Sequence, residues 1–234
     1  MMKLARALGA TVTLGLFVAA CQAPGGSWGT AVVKETDGFG DYYETVVNVP
    51  LPTGAPRAFS CVGPWSATTS DTYLKGIFGV SRVVQAPDVL QPSGATGPGS
   101  IVLPEDPKLR VAVAWADGFA YAGPLRFNFS EETAWSVNGV GIGTTLAQLE
   151  KINGKPFRLV GFGGDNGGLV TDWQGGTLSN LQGGCALTVQ LAISALAPAS
   201  AQAKVVGPRV FSSSDRNVRT LRPTVGSFWV YYAR

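Results

Sequence analysis

Apolar positions along the chain fall into short runs with a period near two, separated by turn-forming residues. Runs at 42–51, 109–115, 125–129, 187–193 and 225–232 carry Val, Leu, Ile and aromatic residues in the manner of strands. Asp37-Gly38, Asp117-Gly118, Asn138-Gly139 and repeated Gly-Gly pairs punctuate them, as hairpin connections require. Residues 85–99, with Pro87, Pro92 and Pro98, read as one long loop.

Two segments break the strand period, and they match each other. Residues 69–79 align without gaps on residues 144–154, with Thr69/Thr144, Leu74/Leu149 and Gly79/Gly154 identical. Each starts with hydroxyl residues able to cap a helix, and Thr145 with Gln148 has capping-box spacing. Leu74/Ile77 and Leu149/Ile152 set two apolar residues on one helical face. Gly79 and Gly154 fit the left-handed residue that ends a helix, and Pro156 reinforces the second stop. Helices this short hold only when packed on a sheet. Strand material ending in Trp-x-x-Gly follows both, at Trp115 and Trp173. The expected fold is therefore α+β: an antiparallel sheet with short helices, arranged as two repeated helix-plus-β-hairpin units. The units span about 65–130 and 135–195, and a last strand follows at 224–232.

The leader changes the picture of where this body sits. Lys3 and Arg6 precede an apolar stretch from Ala7 to Phe17, and Val18-Ala19-Ala20 supplies small residues before a cut. Residues 1–20 read as an export signal, too short in its apolar part for a spanning helix, which needs about 20 residues. Val18-Ala19-Ala20-Cys21 resembles a bacterial lipobox. That resemblance implies diacylglyceration of the Cys21 thiol, cleavage before it and acylation of the new amino group. Residues 21–30 would then be a lipidated tether and 31–234 a single periplasmic body. Several acyl chains anchor stably where one is marginal, each buried methylene contributing about 0.8 kcal/mol. Gln22 rather than Asp after the cysteine implies, by the same resemblance, the outer membrane.

Composition narrows the function classes. The chain has 234 residues with Gly 31 and Pro 15, and 14% are charged. An apolar share of 45% excludes a disordered, highly charged chain. The sequence has no histidine, which removes Ser-His-Asp triads, Cys-His pairs and HExxH zinc helices. Without Lys3 and Arg6 the net charge falls from +3 to near neutrality, unlike a general nucleic-acid binder. With Cys21 lipidated, Cys61 and Cys185 remain, and in an oxidising compartment they read as one disulfide.

Residues 141–157, Gly-Ile-Gly-Thr-Thr-Leu-Ala-Gln-Leu-Glu-Lys-Ile-Asn-Gly-Lys-Pro-Phe, with Gly161-Phe162-Gly163 and Trp173, resemble an uncharacterised family of exported bacterial proteins. More loosely, the helix–glycine–hairpin order is similar to the β-lactamase-inhibitor-protein-like fold, which includes the small lipoprotein of the outer-membrane barrel-assembly complex. The resemblance implies protein-binding neighbours, and makes the loop around Phe162 and Asp165, with Trp173, a candidate binding region.

Other constellations are weaker. The glycine-rich stretch 161–168 lacks the Gly-Lys-Ser/Thr of a phosphate loop, holds one carboxylate, and reads best as a hairpin connection. Gly139, Gly141 and Gly143 lack the context of a dinucleotide fingerprint. Asp165, Asp172, Glu131, Glu132 and Glu150 could supply a glycosidase-like pair, but nothing makes two converge. Trp65, Trp115, Trp135, Trp173 and Trp229 suit a core better than a sugar platform. Arg216, Arg219 and Arg222 recur every third residue and would share a face beside Arg209 if the segment were helical, suiting anionic lipid or an envelope polymer.

The sequence-level expectation is thus a lipid-anchored, non-catalytic interaction module of the cell envelope. It needs no cofactor or metal. Its partners would be the membrane, through its acyl chains, and an envelope protein or polymer. A histidine-free carboxylate hydrolase acting on cell-wall glycan, and a small-ligand carrier, are the alternatives.

Overall fold

Val111 and Val113 are fully buried on a strand that lies third from one edge of a six-stranded sheet, and the fold is organised around that sheet. The structure is a computed structural model and describes residues 27–36, 42–51, 57–194 and 197–232. The signal segment, Cys21 and the start of the tether lie outside the described residues, as does Asp37-Gly38. The chain opens with an antiparallel hairpin, β1 (Ser27–Thr36) on β2 (Tyr42–Leu51). β1 was not among the expected runs, and it starts at Ser27, inside the segment read as tether.

Next come β3 (Arg57–Phe59), α1 (Asp71–Phe78), and a meander of β4 (Val83–Leu90), β5 (Thr96–Val102), β6 (Val111–Asp117) and β7 (Ala122–Phe129). The second half holds β8 (Trp135–Val137), α2 (Leu146–Asn153), β9 (Arg158–Val160), β10 (Val170–Asp172), β11 (Ala186–Ala192), α3 (Ala199–Gln202), β12 (Val210–Ser212), α4 (Arg216–Thr220) and β13 (Thr224–Tyr231). The large sheet has the order β11-β13-β7-β6-β5-β4 with every pair antiparallel, so both halves of the chain build it. A smaller sheet, β10-β9-β12, connects to its edge through the bridge between Leu169 and Gln190. β3 and β8 form the one parallel pair among the described strands. The class is α+β with mostly antiparallel sheet and few short helices, as expected.

Residues 85–99 are not a loop: they lie mostly in β4 and β5. The cost of proline in a sheet depends on the partner strand, and here it is low. Pro87 sits at the register shift of β4, an edge strand, and Pro98 falls between the paired residues Gly97 and Gly99, where proline is tolerated. Gly99 is required by close approach. A β-carbon there would meet the Val113 carbonyl oxygen at 2.5 Å and the Val89 β-carbon at 2.6 Å.

Both helices form where capping places them. The Ser70 side chain accepts from the Tyr73 amide, and Thr145 with Gln148 completes a reciprocal capping box. Leu74 and Leu149 are fully buried. Gly154 is left-handed, whereas Gly79 combines a φ of 99° with an extended ψ of 145°, which likewise only glycine adopts cheaply. Ser70 bridges Ala122 at the start of β7, and Thr145 bridges Thr224 at the start of β13. The two tryptophans differ in setting: Trp115 lies within β6, and Trp173 follows the end of β10.

Between the first helix and the sheet lies an aromatic core. Phe59 stacks on Trp65 at 5.2 Å and meets Phe127 and Phe129 edge-on. The Cys61–Cys185 disulfide sits at its margin, with Cα atoms 6.1 Å apart. A buried polar chain crosses the layer. The Trp115 indole donates to Ser100 Oγ at 3.0 Å, Ser100 donates to Asp71 Oδ1 at 2.6 Å, and Lys75 pairs with Asp71 Oδ2 at 2.6 Å. Among the described residues no helix is long and apolar enough to cross a membrane.

Candidate functional site

The Ser-rich segment before β13 folds as one helical turn because Asp215 caps it. Its Oδ1 accepts from the Asn217 amide at 2.7 Å and from the Val218 amide at 3.4 Å. Val218 and Leu221 are buried and fasten α4 to the core, which leaves positions 216, 219, 220 and 222 exposed to solvent. Arg216, Arg219 and Arg222 occupy three of them. With Ser214 and Thr220 they line an open depression of ≈ 480 Å³.

Each arginine is held differently. Arg219 Nη2 donates to Glu150 Oε2 at 2.8 Å, and Glu150 Oε1 accepts from the fully buried Ser213 hydroxyl at 2.6 Å. Ser213 Oγ in turn accepts from the Phe157 amide at 3.0 Å, so the pair is fixed to α2 and to the start of β9. Arg216 and Arg222 have no carboxylate partner among the described residues. Arg222 follows the helix C-cap with a φ of 48°. That is the left-handed region, which costs a residue with a β-carbon roughly 1–2 kcal/mol and where glycine is usual. The neighbours impose it: Leu221 is buried, and the Pro223 carbonyl accepts from the Leu146 amide at 3.1 Å.

The expected face is therefore only partly as drawn. Arg216 and Arg219 are on the helix, and Arg222 joins them from beyond its end. Arg209 does not line the depression; it donates to the Lys204 carbonyl and lies over the Phe211 ring at 5.2 Å. Sequence spacing pointed to the three arginines. It held no signal for Ser213, because that contact joins residues 63 apart in the chain.

The other candidates are not gathered there. Phe162 is buried in the core, its amide donating to the Val205 carbonyl. Trp173 is buried as well, packing on Phe157 at 5.1 Å and donating its indole N–H to the Leu187 carbonyl at 3.1 Å. Asp165 is exposed at the tip of the β9–β10 connection, which Gln190 clasps by donating to the Asp165 and Gly167 carbonyls. The Gly161, Phe162, Gly167, Gly168 and Leu169 amides all donate to protein carbonyls, so those donors are spent internally.

Carboxylates are dispersed in the same way. Asp71 serves Ser100 and Lys75, while Glu150 serves Ser213 and Arg219. Glu131, Glu132, Asp165 and Asp172 are exposed. No group of three or more metal-ligating side chains occurs among the described residues. What converges is cationic: three arginines, a side chain able to hold an anion by charge-assisted hydrogen bonds. Comparison with known proteins finds no family, no curated protein and no solved structure that matches the chain.

Proposed function

We propose that this chain is a lipid-anchored lipoprotein of the cell envelope whose α+β body is a non-catalytic binding module for an anionic partner. The observation that carries the reading is the convergence of Arg216, Arg219 and Arg222 on one solvent-open depression. Anchoring rests on the lipobox-like Val18-Ala19-Ala20-Cys21, and Gln22 after the cysteine favours, by the same resemblance, the outer membrane. The body is read as two related helix-plus-hairpin units, a reading supported by the two capped eight-residue helices. The likeness to exported bacterial proteins and to the β-lactamase-inhibitor-protein-like fold belongs to the same proposal.

Two measurements test it. Wild-type protein is expected in the membrane fraction, labelled by a palmitate analogue, and Cys21→Ala is expected to be released and unlabelled. Persistent membrane association of that variant contradicts the anchor. In detergent, the intact protein is expected to be retained on heparin-agarose, and the triple variant Arg216→Ala/Arg219→Ala/Arg222→Ala to elute at markedly lower salt. Equal elution of the two proteins contradicts the anionic-partner reading.

A further inference from the structure

We infer that the α4 depression is a phosphate-ester site, in which Arg216 and Arg222 grip the phosphate and Arg219 is a positioning wall. The inference rests on the proposed anionic-partner reading and names the chemistry of that partner.

Charge balance is the first argument. Three arginines line the depression, and Glu150 offsets the charge of one of them, Arg219. Asp215, the nearest other acid in sequence, keeps its charge while its Oδ1 accepts the Asn217 and Val218 amides, but it forms no ion pair with an arginine among the described residues. Arg216 and Arg222 are left as two cations with no carboxylate partner among the described residues. A phosphomonoester near neutrality carries close to two negative charges and three acceptor oxygens. It can satisfy two guanidinium groups at once, whereas one carboxylate answers a single guanidinium.

Geometry is the second. Arg222 is held left-handed where glycine would be cheaper, by buried neighbours on both sides, and it is this conformation that accompanies its place in the depression. The Ser213–Glu150–Arg219 chain holds Arg219 in place as a charge-compensated wall of the depression. Of the lining hydroxyls, Ser214 Oγ shares a hydrogen bond with Ser212 Oγ, and Thr220 Oγ1 donates to the Arg216 carbonyl. At ≈ 480 Å³ and open to solvent, the depression leaves room for a larger body carrying the phosphate.

The test uses purified full-length protein in detergent, titrated calorimetrically with inorganic pyrophosphate and separately with citrate. Pyrophosphate is expected to bind more tightly than citrate, and Arg216→Ala and Arg222→Ala each to weaken it by about tenfold or more. Arg222→Gly separates lost contact from lost fold. It should weaken pyrophosphate binding equally, while its thermal midpoint stays unchanged or rises by about 2 °C through relief of the left-handed side chain. A second arm floats the Cys21→Ala protein with phosphatidylcholine vesicles containing phosphatidic acid. Flotation identifies a membrane headgroup as the source, and pyrophosphate binding without flotation points to a phosphate group carried outside the bilayer; both support the site. Equal affinity for citrate and pyrophosphate, with heparin retention still lost in the triple variant, overturns the phosphate assignment and leaves anion binding standing. Unchanged heparin retention in the triple variant overturns both.

Discussion

Tyr232 ties the end of the last strand to the first half of the molecule through one hydroxyl. Its oxygen lies 2.9 Å from both the Cys61 and the Trp65 carbonyls, and its proton serves this pair. Burial disfavours the phenolate and pushes the Tyr232 pKa up to about 12 from the ordinary 10. The unfolded chain therefore releases this proton first as pH rises. Tyr232 contributes its stability in full below about pH 10, and that contribution is lost as pH climbs toward 12. Urea midpoints measured upward from neutral pH should decline across this window. In Tyr232→Phe the decline should be shallower, with a neutral-pH loss of about 1–2 kcal/mol from the carbonyls left unpaired. Nothing local in the sequence marks this tyrosine. Its acceptors are 171 and 167 residues away, so only the assembled fold defines the contact.

Elements divide by how local their causes are. The two long helices were legible because everything that starts and stops them lies within a few residues: Ser70 and Thr145 as caps, Gly79 and Gly154 as ends. Thr145→Ala should cost about 1 kcal/mol by thermal melting, since it removes one arm of a capping box. β4 and β5 were not legible, because their prolines and Gly99 are acceptable only at a particular edge, bulge and cross-strand contact. Gly168 shows the same dependence more sharply. Its φ is +76°, and a β-carbon would stand 2.1 Å from the Leu191 carbonyl oxygen. Gly168→Ala should therefore destabilise more than Thr145→Ala, combining backbone strain with displacement of β11. A smaller effect in the same melting series would mean that the β9–β10 connection moves away from β11 without loss. For the arginine site, the spacing of 216, 219 and 222 carried the signal, but the helix ends at Thr220 and Arg222 arrives by a turn. The arginines' identity was readable, and the geometry that joins them was not.

At the scale of the whole molecule, the large sheet takes β4–β7 from one half of the chain and β11 and β13 from the other, so neither half can complete it. The Cys61–Cys185 bond spans 124 residues and encloses most of that assembly, including the meander and α2. A loop of this length loses so much freedom in the unfolded chain that the bond is worth about 5 kcal/mol in the chain-entropy account. Gly183, two residues before Cys185, has no room for a β-carbon: the Cys61 carbonyl oxygen lies 2.1 Å from where it would stand. The bridge is thus set into a close backbone approach that also supports the Tyr232 contact to the same carbonyl. The prediction is best read in a Cys21→Ala background, where Cys61 and Cys185 are the remaining cysteines. Reduction, or Cys61→Ser with Cys185→Ser, should lower unfolding free energy by up to about 5 kcal/mol, measured by urea titration with and without reductant. The packing around Phe59, Trp65 and Tyr232 should keep part of the fold's cooperativity. A midpoint insensitive to reductant would show that the sheet and aromatic core, rather than the covalent closure, hold the two halves together.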